Sequence, residues 1–206
     1  VSPNPMVGAV IVYQGRIIGE GYHRKYGEAH AEVNAIESVI DKSLLPKSTI
    51  YVTLEPCSHF GKTPPCANLI ISCKIPKVVI ACRDESEKVN GKGVALLKQA
   101  GVEVISGILE NEAKFLNRIF LTCQKYKRPY LIAKWAESSD GFIAGTDEKG
   151  DSFPVSISNE YSQVLSHKWR SEEDAILVGT NTALIDNPSL TTRNWAGKNP
   201  IRVVID

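Results

Sequence analysis

Apolar and polar positions alternate in short blocks along the first half of the chain. Residues 7–12 (VGAVIV) and 17–22 (IIGEGY) are β-type runs around Gln14-Gly15-Arg16 and together predict a hairpin. From Ala29 to about Asp41, apolar residues recur at 33, 36, 39 and 40, the spacing of an amphipathic helix. Thr49–Leu54 predicts a strand stopped by Pro56, Ala67–Cys73 a short helix, and Lys77–Cys82 (KVVIAC) a buried strand. Gly93–Gln99 and Val102–Ile105 follow as helix and strand, with Gly101 as the helix stop. Asn111–Lys125 predicts one further helix, with apolar residues at 113, 116, 119, 120 and 123.

The pattern breaks at Lys125-Tyr-Lys-Arg-Pro129, where three charges and a proline interrupt it. This places a boundary near 125–129 and divides the chain into two α/β segments, 1–125 and 129–206. The second segment predicts a strand at Tyr130–Trp135, a helix at Asn159–Lys168 and a strand at Ala175–Gly179. A Pro/Thr loop at 186–193 and a strand at 201–205 complete it.

Composition narrows the function classes. With 206 residues, 43% hydrophobic and 23% charged, the chain is neither disordered nor collagen-like, and its length suits one large domain or two small ones. No apolar run approaches the ~20 residues of a bilayer span, so no membrane partner is expected. A net charge of +1 speaks against a nucleic-acid partner, which usually selects a basic excess. Five cysteines at irregular spacing do not make a disulfide framework; free or metal-holding thiols and a reducing, cytoplasmic setting are expected. The opening at Val1 without Met, and the end at Asp206 within an apolar run, lead us to expect a chain cut at both ends.

Chemistry concentrates in two places. His30-Ala31-Glu32 opens the first helix, Pro56-Cys57 is expected to open the second, and Cys66 follows nine positions later. One imidazole and two thiolates suit Zn²⁺ and leave a fourth position for water, the arrangement of a catalytic rather than a structural site. A helix N-terminus would stabilise the Cys57 thiolate. Zinc lowers the pKa of coordinated water to ~7, and Glu32 beside it is placed to carry protons to a ring nitrogen and a leaving amine. This is the chemistry of hydrolytic deamination. The nucleobase-deaminase pattern H-x-E…P-C-x-x-C is met except that eight residues rather than two separate Cys57 from Cys66. Cys73, Cys82 and Cys123 lie on apolar faces and read as core thiols.

Ser2-Pro-Asn-Pro-Met-Val-Gly8, His30-Ala-Glu32 and Pro56-Cys-Ser-His-Phe-Gly-Lys-Thr-Pro-Pro-Cys66 resemble the deaminase domain of the bifunctional riboflavin-biosynthesis deaminase/reductase (RibD/RibG) family. The resemblance implies a cytidine-deaminase-like α/β/α domain followed by the N-terminal part of a dihydrofolate-reductase-like α/β domain. It implies that His30, Cys57 and Cys66 hold one zinc ion and that Glu32 is the proton carrier. The implied substrate is 2,5-diamino-6-(5-phosphoribosylamino)pyrimidin-4(3H)-one, deaminated at its 2-amino group, with Asn4, His23, His59, Lys62 and Asp84 in contact with it. Asn4 offers a donor and an acceptor to a pyrimidine edge, and Lys62 a cation to a phosphate. One departure stands out: where the family reads Asp-Pro-Asn-Pro, this chain reads Asp84-Glu85-Ser86-Glu87, and Ser86 has a shorter reach than Asn.

Residues 129–206 resemble the start of the family's reductase domain through Arg128-Pro-Tyr, Lys134, Ser138-Ser-Asp-Gly141, Asp174-Ala-Ile-Leu-Val-Gly179 and Asp186-Asn-Pro-Ser-Leu-Thr-Thr-Arg193. The resemblance implies NADPH contacts at Ala136, Ser156, Thr182 and Asp186, and substrate contacts at Arg170, Leu190 and Arg193. Ser156-Ile-Ser158 departs from the family's Trp-Ile-Thr, and no G-x-G-x-x-G occurs; this segment is expected not to complete an NADPH site by itself. The expected partner is a small phosphorylated pyrimidine, and a homo-oligomer stays open. Two other readings stand beside this one: a nucleoside or tRNA deaminase of the cytidine-deaminase superfamily, and a zinc-stapled binding module.

Overall fold

The computed structural model describes residues 2–58, 64–86 and 89–205. The chain forms two compact units, Val1–Leu131 and Ile132–Asp206.

In the first unit, β1 (Gly8–Tyr13) and β2 (Arg16–Tyr22) form the expected hairpin, with Gln14 and Gly15 at positive φ (49° and 73°) in its turn. β3 (Thr49–Leu54), β4 (Lys77–Cys82) and β5 (Glu103–Ser106) complete a five-stranded sheet of order β2-β1-β3-β4-β5. β1 runs antiparallel to β2 and β3, whereas β3, β4 and β5 are parallel. Parallel neighbours need a crossover, supplied by α2 (Cys66–Ser72) between β3 and β4 and by α3 (Lys92–Gln99) between β4 and β5.

Strand alternation sorts the side chains into two layers. Ile11, Ile50, Val78 and Ile80, all at 0% exposure, pack against α1 (Ala31–Ser38), α2 and α3 through Ala35, Ile70 and Leu97. The opposite face, with Val10, Tyr51 and Val79, lines an open groove of about 1000 Å³ shared with α4 (Glu110–Leu116).

Several expectations are corrected. α1 is shorter than the apolar spacing predicts, because Ser38 Oγ donates to Ala35 O, accepts from Glu20 N, and closes the helix. Its buried stripe runs through Ala31 and Ala35, and Ile40 is exposed. Small residues are needed there because β2 crosses the helix closely: a Cβ on Gly21 would lie 2.3 Å from Ala35 N. The helix predicted over 111–125 is two, α4 and α5 (Arg118–Tyr126), separated by Asn117. Asn117 is buried, its Oδ1 accepts from Met6 N (2.8 Å) and its Nδ2 donates to Met6 O (3.0 Å). A buried amide satisfied by a distant backbone turns the helix there. No residue of α5 is buried, and Cys123 is exposed rather than a core thiol; Cys82 is buried and Cys73 half-buried against the core.

Residues 130–135, across the division between the units, form no strand, since no neighbour among the described residues pairs with them. Two short strands that the pattern did not reveal, β6 (Gly145–Thr146) and β7 (Ser152–Phe153), pair antiparallel. α6 (Glu160–Glu172) starts at Asn159, whose side chain accepts from Ser162 N, and runs four residues past the expected end. β8 (Ala175–Gly179) and β9 (Ile201–Ile205) lie where expected and pair in parallel.

Candidate metal centre and substrate cavity

Chain direction assembles the site. The parallel strands β3 and β4 end side by side, Leu54 opposite Cys82, and the turns that follow carry Cys57 and Asp84. Crevices beyond the carboxyl ends of parallel strands are where open α/β sheets place ligands. Because β1 is antiparallel to β3, its start adjoins the end of β3, and Gly8 N donates to Thr53 Oγ1 at 3.0 Å. Residues 3–7 are thereby laid across the same end of the sheet.

His30 is the N-cap residue of α1 and makes no capping bond with its side chain, which leaves its ring available. Its Nδ1 lies 3.6 Å from Cys57 Sγ and 3.3 Å from Cys66 Sγ, and the three ligand atoms fall within 4.8 Å of one another. A tetrahedral zinc with ordinary Zn–N and Zn–S bonds sets an N···S separation of about 3.6 Å, so this donor set fits that ion. No fourth His, Cys, Asp or Glu joins the group among the described residues.

Cys57 does not open a helix as expected; it lies in the turn after β3, and Cys66 is the first residue of α2. The helix start nevertheless serves it, since Cys66 N donates to Cys57 Sγ at 3.3 Å and Ala67 N to Cys57 O at 3.1 Å. The bond from the Cys66 thiol, aided by His30 and the Cys66 N–H, holds the Cys57 thiol well below its ordinary value. The same pairing and burial push Cys66 up. The bond to Cys57 raises His30. Burial raises the Glu32 carboxyl above its ordinary value, and Glu32 is only 3% exposed in the first turn of α1.

These groups face a cavity of about 440 Å³, lined by Asn4, His23, His30, Glu32, Cys57 and Asp84, with Phe120 and Gln124 of α5 contributing as well. That volume is in the range of small-molecule sites. Asn4 Nδ2 donates to His23 Nε2 at 2.9 Å while His23 Nδ1 lies 3.1 Å from Ala29 O. Since a carbonyl can only accept, Nδ1 carries the ring proton and Nε2 is the acceptor. Both ring nitrogens of His23 are thus engaged, and Asn4 keeps its Oδ1 and one N–H for another partner. Asp84 is buried and accepts from Ser86 N at 2.8 Å. His59 and Lys62 lie outside the described residues.

Sequence reasoning missed Glu55. It is 4% exposed, and its carboxylate accepts from Gly91 N and Val94 N, each at 3.1 Å, tying the turn before Cys57 to the start of α3. Gly93 is required beside it, because a Cβ there would lie 2.0 Å from Pro56 O. An acidic residue just after a strand, with Gly91 and Gly93 at the start of a later helix, was the available signal.

In the second unit the structure brings Arg170 and Arg193 together around Thr191. Arg170 Nη1 donates to Thr191 O (3.2 Å) and Arg193 Nη1 to Thr191 Oγ1 (3.1 Å). Arg193 N donates to Nδ1 of the buried His167 (2.9 Å). Burial, then the Arg193 charge, lowers Arg170. Leu190 is buried next to this pair in sequence, at φ 54°. Ala136, Ser156, Thr182 and Asp186 are joined by no side-chain hydrogen bond among the described residues; Ala136 is half-buried and the others exposed.

Residues 2–82 match the cytidine and deoxycytidylate deaminase zinc-binding region, and residues 129–206 the RibD C-terminal domain. The riboflavin biosynthesis protein RibD of Bacillus amyloliquefaciens is 47% identical over 206 residues, covering 100% of this chain and 54% of that protein. Its counterpart from Aquifex aeolicus is 44% identical over 205 residues, covering 99% of this chain and 56% of that protein. A crystal structure of a diaminohydroxyphosphoribosylaminopyrimidine deaminase/5-amino-6-(5-phosphoribosylamino)uracil reductase from Thermotoga maritima superposes with a TM-score of 0.88 at 46% identity, over 100% of this chain and 58% of that chain. The chain therefore spans somewhat over half the length of these relatives. The expected fold, a cytidine-deaminase-like domain followed by part of a dihydrofolate-reductase-like one, is borne out. Among the described residues no helix is long and apolar enough to cross a membrane. Matched from end to end by these proteins, with the zinc-binding region first and the C-terminal domain after it, the chain belongs to the RibD family.

Proposed function

We propose that residues 1–125 form a zinc-dependent pyrimidine deaminase domain that converts 2,5-diamino-6-(5-phosphoribosylamino)pyrimidin-4(3H)-one into 5-amino-6-(5-phosphoribosylamino)uracil and ammonia. The observation that carries this reading is a buried carboxyl, Glu32, beside a His/Cys/Cys donor set at zinc spacing in one cavity. His30, Cys57 and Cys66 would hold the zinc ion, which when bound would supply a water activated as a nucleophile at neutral pH. Glu32 takes a proton from the attacking water and delivers protons to the ring nitrogen and the departing amine. Across the reaction one C–O bond forms at the ring carbon, one C–N bond breaks, and ammonia leaves. Burial suits Glu32 to this work, because a carboxyl with a raised pKa holds a proton until the amine needs it. Asn4, tied to His23 through one N–H, offers its remaining donor and acceptor to the pyrimidine, and Asp84 stands at the cavity wall. His59 and Lys62 are assigned to the ring and phosphoribosyl group by motif alone.

Residues 129–206 are proposed as the N-terminal part of a reductase domain that, when complete, uses NADPH to reduce the ribosyl group to ribityl. The Arg170/Arg193 pair supports a phosphate contact there, since guanidinium groups bind phosphate in a fork. Ala136, Ser156, Thr182 and Asp186 are the proposed NADPH contacts. A pair of thiols reserved for metal supports a reducing, cytoplasmic setting.

The test is ammonia release from the diaminopyrimidine compound by the 206-residue chain, with zinc measured in the same sample. Glu32→Gln should keep zinc and lose about 10²–10⁴-fold in turnover. Undiminished turnover in E32Q, or ammonia released from cytidine or tRNA but not from the diaminopyrimidine, overturns the reading.

A further inference from the structure

Asn117 is the polar member of an otherwise apolar stripe, four residues beyond Ala113 and three before Phe120. It is 2% exposed, and both ends of its amide are spent on one backbone unit 111 residues away: Oδ1 on Met6 N, Nδ2 on Met6 O. One position further on, Val7 O accepts from His23 N at 2.9 Å. One residue before Met6 is Pro5, and before that Asn4, whose amide is held by the ring of the same His23. The segment that lays Asn4 across the cavity is therefore clamped at consecutive residues, by Asn117 between α4 and α5 and by His23 just after β2. Phe120, one turn beyond Asn117, lines the same cavity.

Resting on the deaminase reading above, we propose that Asn117 is a positioning residue for the pyrimidine. It touches no reacting atom. By holding Met6 through both its N–H and its C=O it sets how far residues 3–5 stand over the cavity, and so where the free donor and acceptor of Asn4 meet the ring. A side chain that served only to turn the helix would need one hydrogen bond to a nearby backbone group. Asn117 instead bonds both the N–H and the C=O of Met6, in two successive peptide groups of the segment that leads into the cavity. Loss of either bond would leave a buried polar group unpaired and let that segment shift.

The experiment is a double-mutant cycle on ammonia release from the diaminopyrimidine compound, with the 206-residue chain and zinc content recorded for each variant. Asn117→Ala should raise KM about tenfold or more with kcat changed less than about threefold and zinc retained, the signature of lost binding geometry rather than lost chemistry. Asn4→Ala should raise KM likewise, and the double variant should be no worse than N4A alone within about twofold, because Asn117 acts through Asn4. Should N117A fail to fold, Asn117→Asp preserves the shape and the acceptor for Met6 N but sets an oxygen against Met6 O, and carries the same comparison. Independent, multiplying effects of the two substitutions, or a loss in kcat or zinc at unchanged KM, overturn the positioning role while leaving the deaminase intact. A wild-type chain that releases no ammonia overturns the deaminase reading itself, and this inference with it.

Discussion

The two units hold their candidate sites by different means. In the first, His30, Cys57, Cys66, Glu32 and Asn4 come from four separate parts of the chain, and the elements that carry them rest on a shared core of Ile11, Ile50, Val78, Ile80 and Leu97. In the second, Arg170 and Arg193 are held by hydrogen bonds to one threonine and one histidine. The paired strands nearby expose Ile201, Val203, Val204 and Ile205 by between 38% and 69%. Groups mounted on packed elements are fixed by the whole unit, whereas groups joined through a loop are fixed only by their own bonds. A metal centre that needs its ligands placed within fractions of an ångström falls in the first class; an anion contact made by long, flexible guanidinium side chains tolerates the second.

This contrast can be broken experimentally, most directly in the core. Ile80→Ala should cost about 2–5 kcal/mol in the first unit, whereas Val204→Ala should stay within about 0.5 kcal/mol in the second. Amide hydrogen exchange followed separately in each unit reads both, and equal losses would erase the distinction. Removing zinc with a chelator comes next. A hundredfold excess of metal over its Kd contributes about 2.7 kcal/mol to the form that binds it, so exchange should quicken in residues 2–131 and not beyond. Gly21→Ala should follow at about 1–3 kcal/mol, since the added methyl has only α1 backbone to displace.

The smallest effect concerns pH. Asp41 accepts from Ser43 Oγ and Ser43 N, which hold its exposed carboxyl below the ordinary 3.8. Because the folded value is depressed, its contribution is present above pH 3.8 and is lost as pH falls through the lower folded value. Asp41→Asn should therefore remove a slight acid-dependence of the first unit, measured by denaturant midpoints between pH 5 and about pH 2.5, and leave the second untouched.

The sequence made one half of the site legible and hid the rest for definite reasons. His30, Cys57 and Cys66 could be read because each stands at the start of an element or just after a strand, where local pattern is strongest. Which cysteine begins the helix could not be read: Pro56 and Pro65 both precede a cysteine, and only packing chooses between them. The five strands of the first unit were legible from their apolar runs; the break at Asn117 was not, because its cause lies at Met6, beyond any local window. Glu55 and His167 were hidden likewise, since each is defined by bonds to backbone N–H groups 36, 39 or 26 positions away. The strand expected at 130–135 shows the converse error, in which favourable local pattern meets no neighbour to pair with among the described residues.

The grip of Asn117 on Met6 also sets an order of events during synthesis. The metal ligands close a loop of 36 residues, His30 to Cys66, and the clamp closes one of 111. The longer closure costs only about 1 kcal/mol more in chain entropy, so thermodynamics hardly separates them. Time does: at ordinary elongation rates residue 117 leaves the ribosome roughly 3–10 s after residue 66. The nascent chain thus has its candidate ion-binding groups synthesised before Asn117 is there to hold Met6 and the residues that lead from it into the cavity.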